Sequence, residues 1–227
     1  MGLISILQYD PTLFMLIAVS LIFALCVHEF SHGIIAYFCG DDTAYRNGRL
    51  TLNPINHLDP IGSLMILFIG VGYAKPVPVN PYNLNNPRID MIKIAAAGPI
   101  SNFILGFLGM LLAVVIMNMG LIQESFFYSI HHYSNGNNID KFFKFFITIN
   151  IYLGLFNLIP IHPLDGGQIF GNLISKYNYR LSQNLLIYGP KVLLGIILFG
   201  LITGRSILWK IIGPIINIIL WFFDLII

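Results

Sequence analysis

Residues 26–33 read Cys26-Val27-His28-Glu29-Phe30-Ser31-His32-Gly33, an HExxH run inside an apolar stretch long enough to cross a lipid bilayer. Four residues of α-helix rotate roughly 400°, so both imidazoles leave one face about one turn apart, and Glu29 sits beside them within reach of a water on a metal. Two histidines at this spacing suit a tetrahedral Zn²⁺ with one position open. Residues 12–27 are almost wholly apolar. A charge at mid-bilayer costs about 2.5 to 3.5 kcal/mol even on the lenient insertion scale, so ionisable groups at this depth point to function. The competing reading is a chance match whose histidines bond to neighbouring side chains, and it suits a soluble helix better than this one.

Composition agrees with a membrane setting. Of 227 residues, 56% are hydrophobic and 10% charged, against roughly 25% charged in a soluble domain. The net charge of +2 comes without a cluster of Lys and Arg, which argues against a nucleic-acid partner. Residues 1–10 carry no Lys or Arg, and the first apolar run continues into the HExxH motif, so no cleavable signal peptide is expected. Cys26 and Cys39 would lie about 20 Å apart on one helix, too far for a disulfide, and leave the redox compartment open. Cys26 points away from His28 and is expected to pack in the bundle.

Five segments can span: residues 12–39, 91–119, 142–161, 186–203 and 207–226. A sixth, 60–74, is short, glycine-containing and closed by Lys75-Pro76; it reads as re-entrant. Arg46, Arg49, Lys75, Arg88 and Lys93 flank it on both sides, and the positive-inside bias gathers all five in the cytoplasm only if the segment does not cross. The N-terminus is then external, residues 40–59, 75–90 and 163–185 are cytoplasmic, and the loop 120–140, without Lys or Arg, is external. Arg205 and Lys210 run against this assignment. With the first helix ending near Gly40-Asp41-Asp42, the HExxH residues lie about 12 to 18 Å from that end, in the cytoplasmic half of the bilayer.

The run Asn157-Leu158-Ile159-Pro160-Ile161-His162-Pro163-Leu164-Asp165-Gly166-Gly167 closes the third span with two prolines and two glycines. Helix cannot continue through it, and unwound backbone at membrane depth is tolerated only where it is buried in protein or lines a cavity. Asp165 therefore reads as a cavity carboxylate rather than a simple cap, and as the best third metal ligand. Both motifs end their spans, so those spans run in the same direction, with 91–119 as the single crossing between them.

Other features have a weaker reading. Asn47-Gly48 suggests a type I′ hairpin over residues 44–53 whose edge could hold an unwound substrate by strand addition. Gly98, Pro99 and Asn102 suggest close helix packing more than direct catalysis. His57, His131 and His132 fall in loops and are expected to be solvated or interfacial.

Taken together, these runs resemble the site-2 protease family of intramembrane zinc metalloproteases over residues 25–172. HEFSH matches the family's HExxH, and NLIPIHPLDGG its NxxPxxPxDG motif; Gly48-Arg49-Leu50-Thr51-Leu52-Asn53-Pro54, Ala74-Lys75-Pro76-Val77-Pro78-Val79-Asn80-Pro81 and Ala97-Gly98-Pro99-Ile100-Ser101-Asn102 are also similar. The resemblance implies one zinc per chain held by His28, His32 and Asp165, with Glu29 as general base and Asn157 steadying an oxyanion. It implies membrane-anchored protein or peptide substrates cut within or near their spans, and a multi-pass protein of a prokaryotic cell membrane with its site toward the cytoplasm. No PDZ or CBS region is visible, and oligomeric state stays open. Two departures stand out: Ser31, whose hydroxyl can bond back one turn, and His162, which reads as a surface residue at the membrane face or as a partner of a ligand.

The expected fold is an all-α polytopic membrane protein of about five transmembrane helices with a re-entrant segment and a small β-hairpin. It forms one integral-membrane domain over 1–227, with its core at about 12–172 and a C-terminal helical hairpin at 186–227. The main rival function, a polytopic metal-ion transporter, should show a second ligand cluster on a neighbouring span. A binding protein on a degenerate protease scaffold would have no use for Glu29.

Overall fold

The computed structural model describes residues 2–70, 72–122 and 137–224. Its helices are α1 (Leu3–Tyr9), α2 (Pro11–Phe38), α3 (Thr43–Arg46), α4 (Pro60–Phe68), α5 (Pro87–Asn118), α6 (Asn138–Asn157), α7 (Asp165–Ile174), α8 (Tyr179–Thr203) and α9 (Ile207–Asp224). Among the described residues the β structure is a single antiparallel bridge, Leu58 with Ala74.

Helix α2 starts where Asp10 accepts the Leu13 N–H and Pro11 occupies the first turn. It stops at a Schellman turn. Gly40 takes φ +103°, and the N–H groups of Gly40 and Asp41 close onto Tyr37 and Ala36. Helices α2, α5 and α8 are long and apolar enough to cross a membrane. Helix α6 opens with an Asn137–Asp140 capping box, and Asp140, Lys141 and Lys144 make its first turns polar.

Helices α2, α5 and α6 form the central packing unit. Close approach depends on absent side chains: a Cβ at Gly109 of α5 would fall 2.8 Å from the Phe146 ring, and one at Gly154 of α6 would fall 2.9 Å from Phe103. Met110, Ala113, Ile147 and Ile151 fill the seam, and Ile212, Ile216 and Leu220 of α9 cover it. Lys141 Nζ lies 3.6 Å from Asp10 Oδ2, so α2 and α6 start at the same end. At that end Asn137 Nδ2 also donates to the Leu121 carbonyl, just beyond α5. Helices α2 and α6 are thus parallel with α5 crossing back between them, the arrangement needed to bring two chain-distant motifs together.

Helix α4 is nine residues long, about 13 Å, against a hydrocarbon core of about 30 Å. Its flanks meet at the Leu58–Ala74 bridge and through the Lys75 N–H to the His57 carbonyl at 2.8 Å. The segment therefore enters and leaves on one side of the bundle.

Several expectations are corrected. Residues 44–53 do not form a hairpin: α3 occupies the first arm, and Asn47-Gly48 closes it in a second Schellman turn, with Gly48 at φ +62° and the Arg49 N–H on the Ala44 carbonyl. His57 is fully buried rather than solvated, because its Nε2 bonds the Thr51 carbonyl at 2.6 Å. Helix α6, expected to run to 161, ends at Asn157, since Pro160 and Pro163 cannot continue the helix, and α8 starts at Tyr179 rather than 186. Helix α1 was not anticipated. His131 and His132 lie outside the described residues.

Candidate metal centre

His28 and His32 project from one face of α2, their ring centroids 4.7 Å apart. Asp165 reaches them as the first residue of α7, and folding α7 back onto the broken end of α6 requires both glycines that follow it. A Cβ at Gly166 would fall 2.2 Å from the Leu158 carbonyl oxygen, and one at Gly167 would fall 2.4 Å from the His162 nitrogen. His28 Nε2 lies 3.2 Å from Asp165 Oδ2, and His32 Nε2 lies 3.4 Å from Oδ1. One ligand atom from each of the three residues falls within 4.8 Å of the others.

The remaining ring nitrogens decide what this cluster can hold. His28 Nδ1 lies 2.6 Å from Asn102 Oδ1, and His32 Nδ1 lies 2.7 Å from the Ile94 carbonyl oxygen. The Asn102 amide is oriented by its other end, whose Nδ2 donates to the Ala24 carbonyl at 3.2 Å and to Asn150 Oδ1 at 3.1 Å. Oxygen faces both Nδ1 atoms, and these oxygens only accept, so each Nδ1 carries a proton and, in the neutral imidazole that binds a metal, each Nε2 offers its lone pair. In that form two ring nitrogens and a carboxylate converge on one point, and Asp165 Oδ2 is buried without a hydrogen-bond partner. That set fits a cation, and a two-nitrogen, one-oxygen set fits zinc. Gly98 of α5 forms the floor: a Cβ there would lie 2.5 Å from both Nε2 atoms.

Glu29 is set beside the cluster by an extended strap, residues 74–80, in which Pro76 and Pro78 fix φ and remove two donors. Val77 N–H donates to Glu29 Oε2 at 3.1 Å. One end of the strap is tied by Arg49 Nη2 to the Lys75 carbonyl at 2.7 Å. At the other end, the Asn80 N–H donates to Asp41 Oδ2 at 2.7 Å, and Asn83 Nδ2 to Oδ1 at 2.9 Å. Burial pushes the Asp41 carboxyl up, but hydrogen bonds from Thr43, Asn80 and Asn83 outweigh it and hold the group below its ordinary value.

A cavity of about 560 Å³ opens on the cluster and is walled by Glu29, Asn157 and Gln168 together with apolar Leu25, Leu153 and Phe156. Asn157 closes α6 and donates from Nδ2 to the Leu153 carbonyl at 3.1 Å. Ser31 Oγ does bond back, to the Val27 carbonyl at 2.7 Å, and Cys26 is packed in the bundle. His162 is neither at the surface nor the partner of His28 or His32, since Asn102 and Ile94 take those places. It is buried between α7 and α8, its backbone against Gly189 and its Nε2 over Gly171. By sequence Asn102 reads as a packing residue; its partner lies 74 residues away, where no local pattern reveals it.

The model of peptidase family M50 matches residues 16–199. The chain belongs to peptidase family M50. Bacillus subtilis YwhC, which bears a zinc metalloprotease name, is 38% identical over 203 residues, covering 89% of this chain and 88% of that protein. Rip2 of Mycolicibacterium smegmatis, named likewise, is 26% identical over 93% of this chain and 74% of its own length. A solved site-2 protease from Methanocaldococcus jannaschii superposes with a TM-score of 0.49 at 22% identity, covering 94% of this chain and 80% of that one. This M50 member is an intramembrane zinc metalloprotease of the site-2 type, and the transporter reading is not favoured.

Proposed function

We propose that His28, His32 and Asp165 hold one zinc ion per chain and that the substrate is the backbone of a membrane-anchored protein or peptide, cut within or near its span. The observation that supports the ligand assignment is the convergence of two imidazole nitrogens and a carboxylate oxygen to within 4.8 Å of one another. When bound, zinc polarises a carbonyl and lowers the pKa of water to about 7. Glu29 has one oxygen held by the Val77 N–H, which leaves the other to take a proton from water and pass it to the leaving amine. Asn157 gives one amide hydrogen to the Leu153 carbonyl and has a second for the oxyanion in the cavity. Leu25, Leu153 and Phe156 receive apolar substrate side chains and limit bulk water.

In this reading α2, α5, α6, α8 and α9 make five crossings of one membrane domain over residues 1–227, with 186–227 as its C-terminal hairpin. The polar first turns of α6 fall at the external interface, where lysines snorkel. The N-terminus is external and the flanks of α4 are cytoplasmic, so the site opens toward the cytoplasm of a prokaryotic cell. The test is incubation of the purified chain with a panel of single-span peptides, compared with Glu29→Gln and mapped by mass spectrometry. Cleavage inside or beside the spans by the wild type alone supports the assignment; no cleavage, or equal cleavage by the variant, contradicts it.

A further inference from the structure

Helix α6 carries a fully buried amide, Asn150, at mid-bundle between the core residues Ile147 and Ile151. Hydrolysis does not use it, and a buried amide is costly unless its groups are bonded. Asn150 is bonded at both ends: Nδ2 donates to the Phe146 carbonyl at 2.8 Å, and Oδ1 accepts from Asn102 Nδ2 at 3.1 Å. Asn102 is itself fully buried and presents Oδ1 to His28 Nδ1 at 2.6 Å. A chain of amides thus runs from α6 through α5 to the HExxH helix.

A side-chain amide has a donor end and an acceptor end of nearly the same shape, so its surroundings decide which end faces a neighbour. Facing oxygen to His28, Asn102 accepts the Nδ1–H hydrogen bond and leaves the Nε2 lone pair of the neutral ring aimed at Asp165. Reversed, it would donate to Nδ1 and force the ring proton onto Nε2, into the space between His28 and Asp165 where a metal must sit. Two acceptors oppose the reversal: the Ala24 carbonyl and Asn150 Oδ1.

We infer that Asn150 is a positioning residue for the metal centre, holding the donor end of Asn102 away from His28 so that His28 keeps the tautomer that binds metal. The inference rests on His28 being a zinc ligand. It assigns a metal-directed function to an α6 residue that touches neither zinc ligand nor cavity.

Zinc affinity of the detergent-purified full chain, measured by competition with a chromogenic chelator, tests it. Asn150→Leu keeps the bulk and loses the acceptor; it is expected to weaken zinc binding about 10-fold, and Asn102→Leu about 100-fold, within the span usual for partners of metal ligands. Asn150→Asp keeps an acceptor for Asn102 and is expected to restore affinity to within about threefold of wild type. Asn150→Leu added to Asn102→Leu should change nothing more, because its effect passes through Asn102. Unchanged affinity in folded Asn150→Leu, or a further full loss in the double variant, would overturn the inference. If Asn150→Leu does not fold, Asn150→Ala gives the same contrast with Asn150→Asp: loss in Ala alone supports the role, and equal loss in both overturns it. His28→Ala separates the two claims. Zinc retained there overturns the ligand assignment itself, whereas zinc lost there and kept in Asn150→Leu overturns only the positioning role.

Discussion

The backbone N–H of Val77 donates to Glu29 Oε2 across 3.1 Å. This bond joins a loop strap to the HExxH helix and gives the Ala74–Asn80 run a role that its residue types alone do not state. The carboxylate is aimed by a main-chain donor whose own position is fixed at Lys75 and Asn80, so the fold preorganises the proposed base.

Glu29→Gln follows directly. The amide oxygen can still accept from Val77, so the strap should stay in place and zinc should stay bound, while proton acceptance is lost. Metal content and thermal stability are expected to match wild type with peptide cleavage undetectable; turnover near the wild-type rate would remove Glu29 from the mechanism.

Asn157→Ala removes one donor from the cavity wall and no metal ligand. Loss of a single oxyanion donor typically costs about 100- to 1000-fold in kcat, so residual cleavage should be measurable with zinc stoichiometry unchanged. A rate within a fewfold of wild type would show that Asn157 only ends α6.

Gly98→Ala puts a methyl 2.5 Å from the Nε2 atoms of both His28 and His32, too close for either ring to stay. Zinc affinity should drop about 10-fold or more, as when a partner of a metal ligand is lost. Gly195→Ala, where the new Cβ would meet nothing within 4 Å, is the control. Equal zinc binding in the two variants would mean that α5 does not form the floor of the site.

Asp41 gives a pH dependence with a defined sign. Its folded pKa lies below its ordinary value, so its contribution to stability is fully present above the unfolded pKa of about 3.9 and is lost as pH falls through the folded value. The Tm difference between wild type and Asp41→Asn should therefore be largest near pH 6 and shrink below about pH 4. A constant difference across that range would show that the Asp41 charge does not tie down the strap.

The candidate cluster was legible where its pattern is local. His28 and His32 declare themselves by helical spacing in an apolar run, and Asp165 by a proline- and glycine-broken segment that only a cavity can host. The hairpin was misread because Asn47-Gly48 is ambiguous: a glycine with positive φ closes a Schellman turn as readily as a type I′ turn, and α3 uses the first. His57 was undervalued because residue type does not show that the loop folds its ring onto the Thr51 carbonyl six residues back, and Asn102 because its partner on α2 lies 74 residues away. The single crossing between the two motifs could be read in advance because chain direction follows from where each motif ends its helix.

The central claim is that His28, His32 and Asp165 converge to bind one metal, and zinc content of the purified chain by elemental analysis tests it most directly. Wild type is expected to hold one zinc per chain, and the double variant His28→Ala/His32→Ala none, with Asp165→Ala strongly depleted. Zinc content unchanged in the folded double variant would contradict the account.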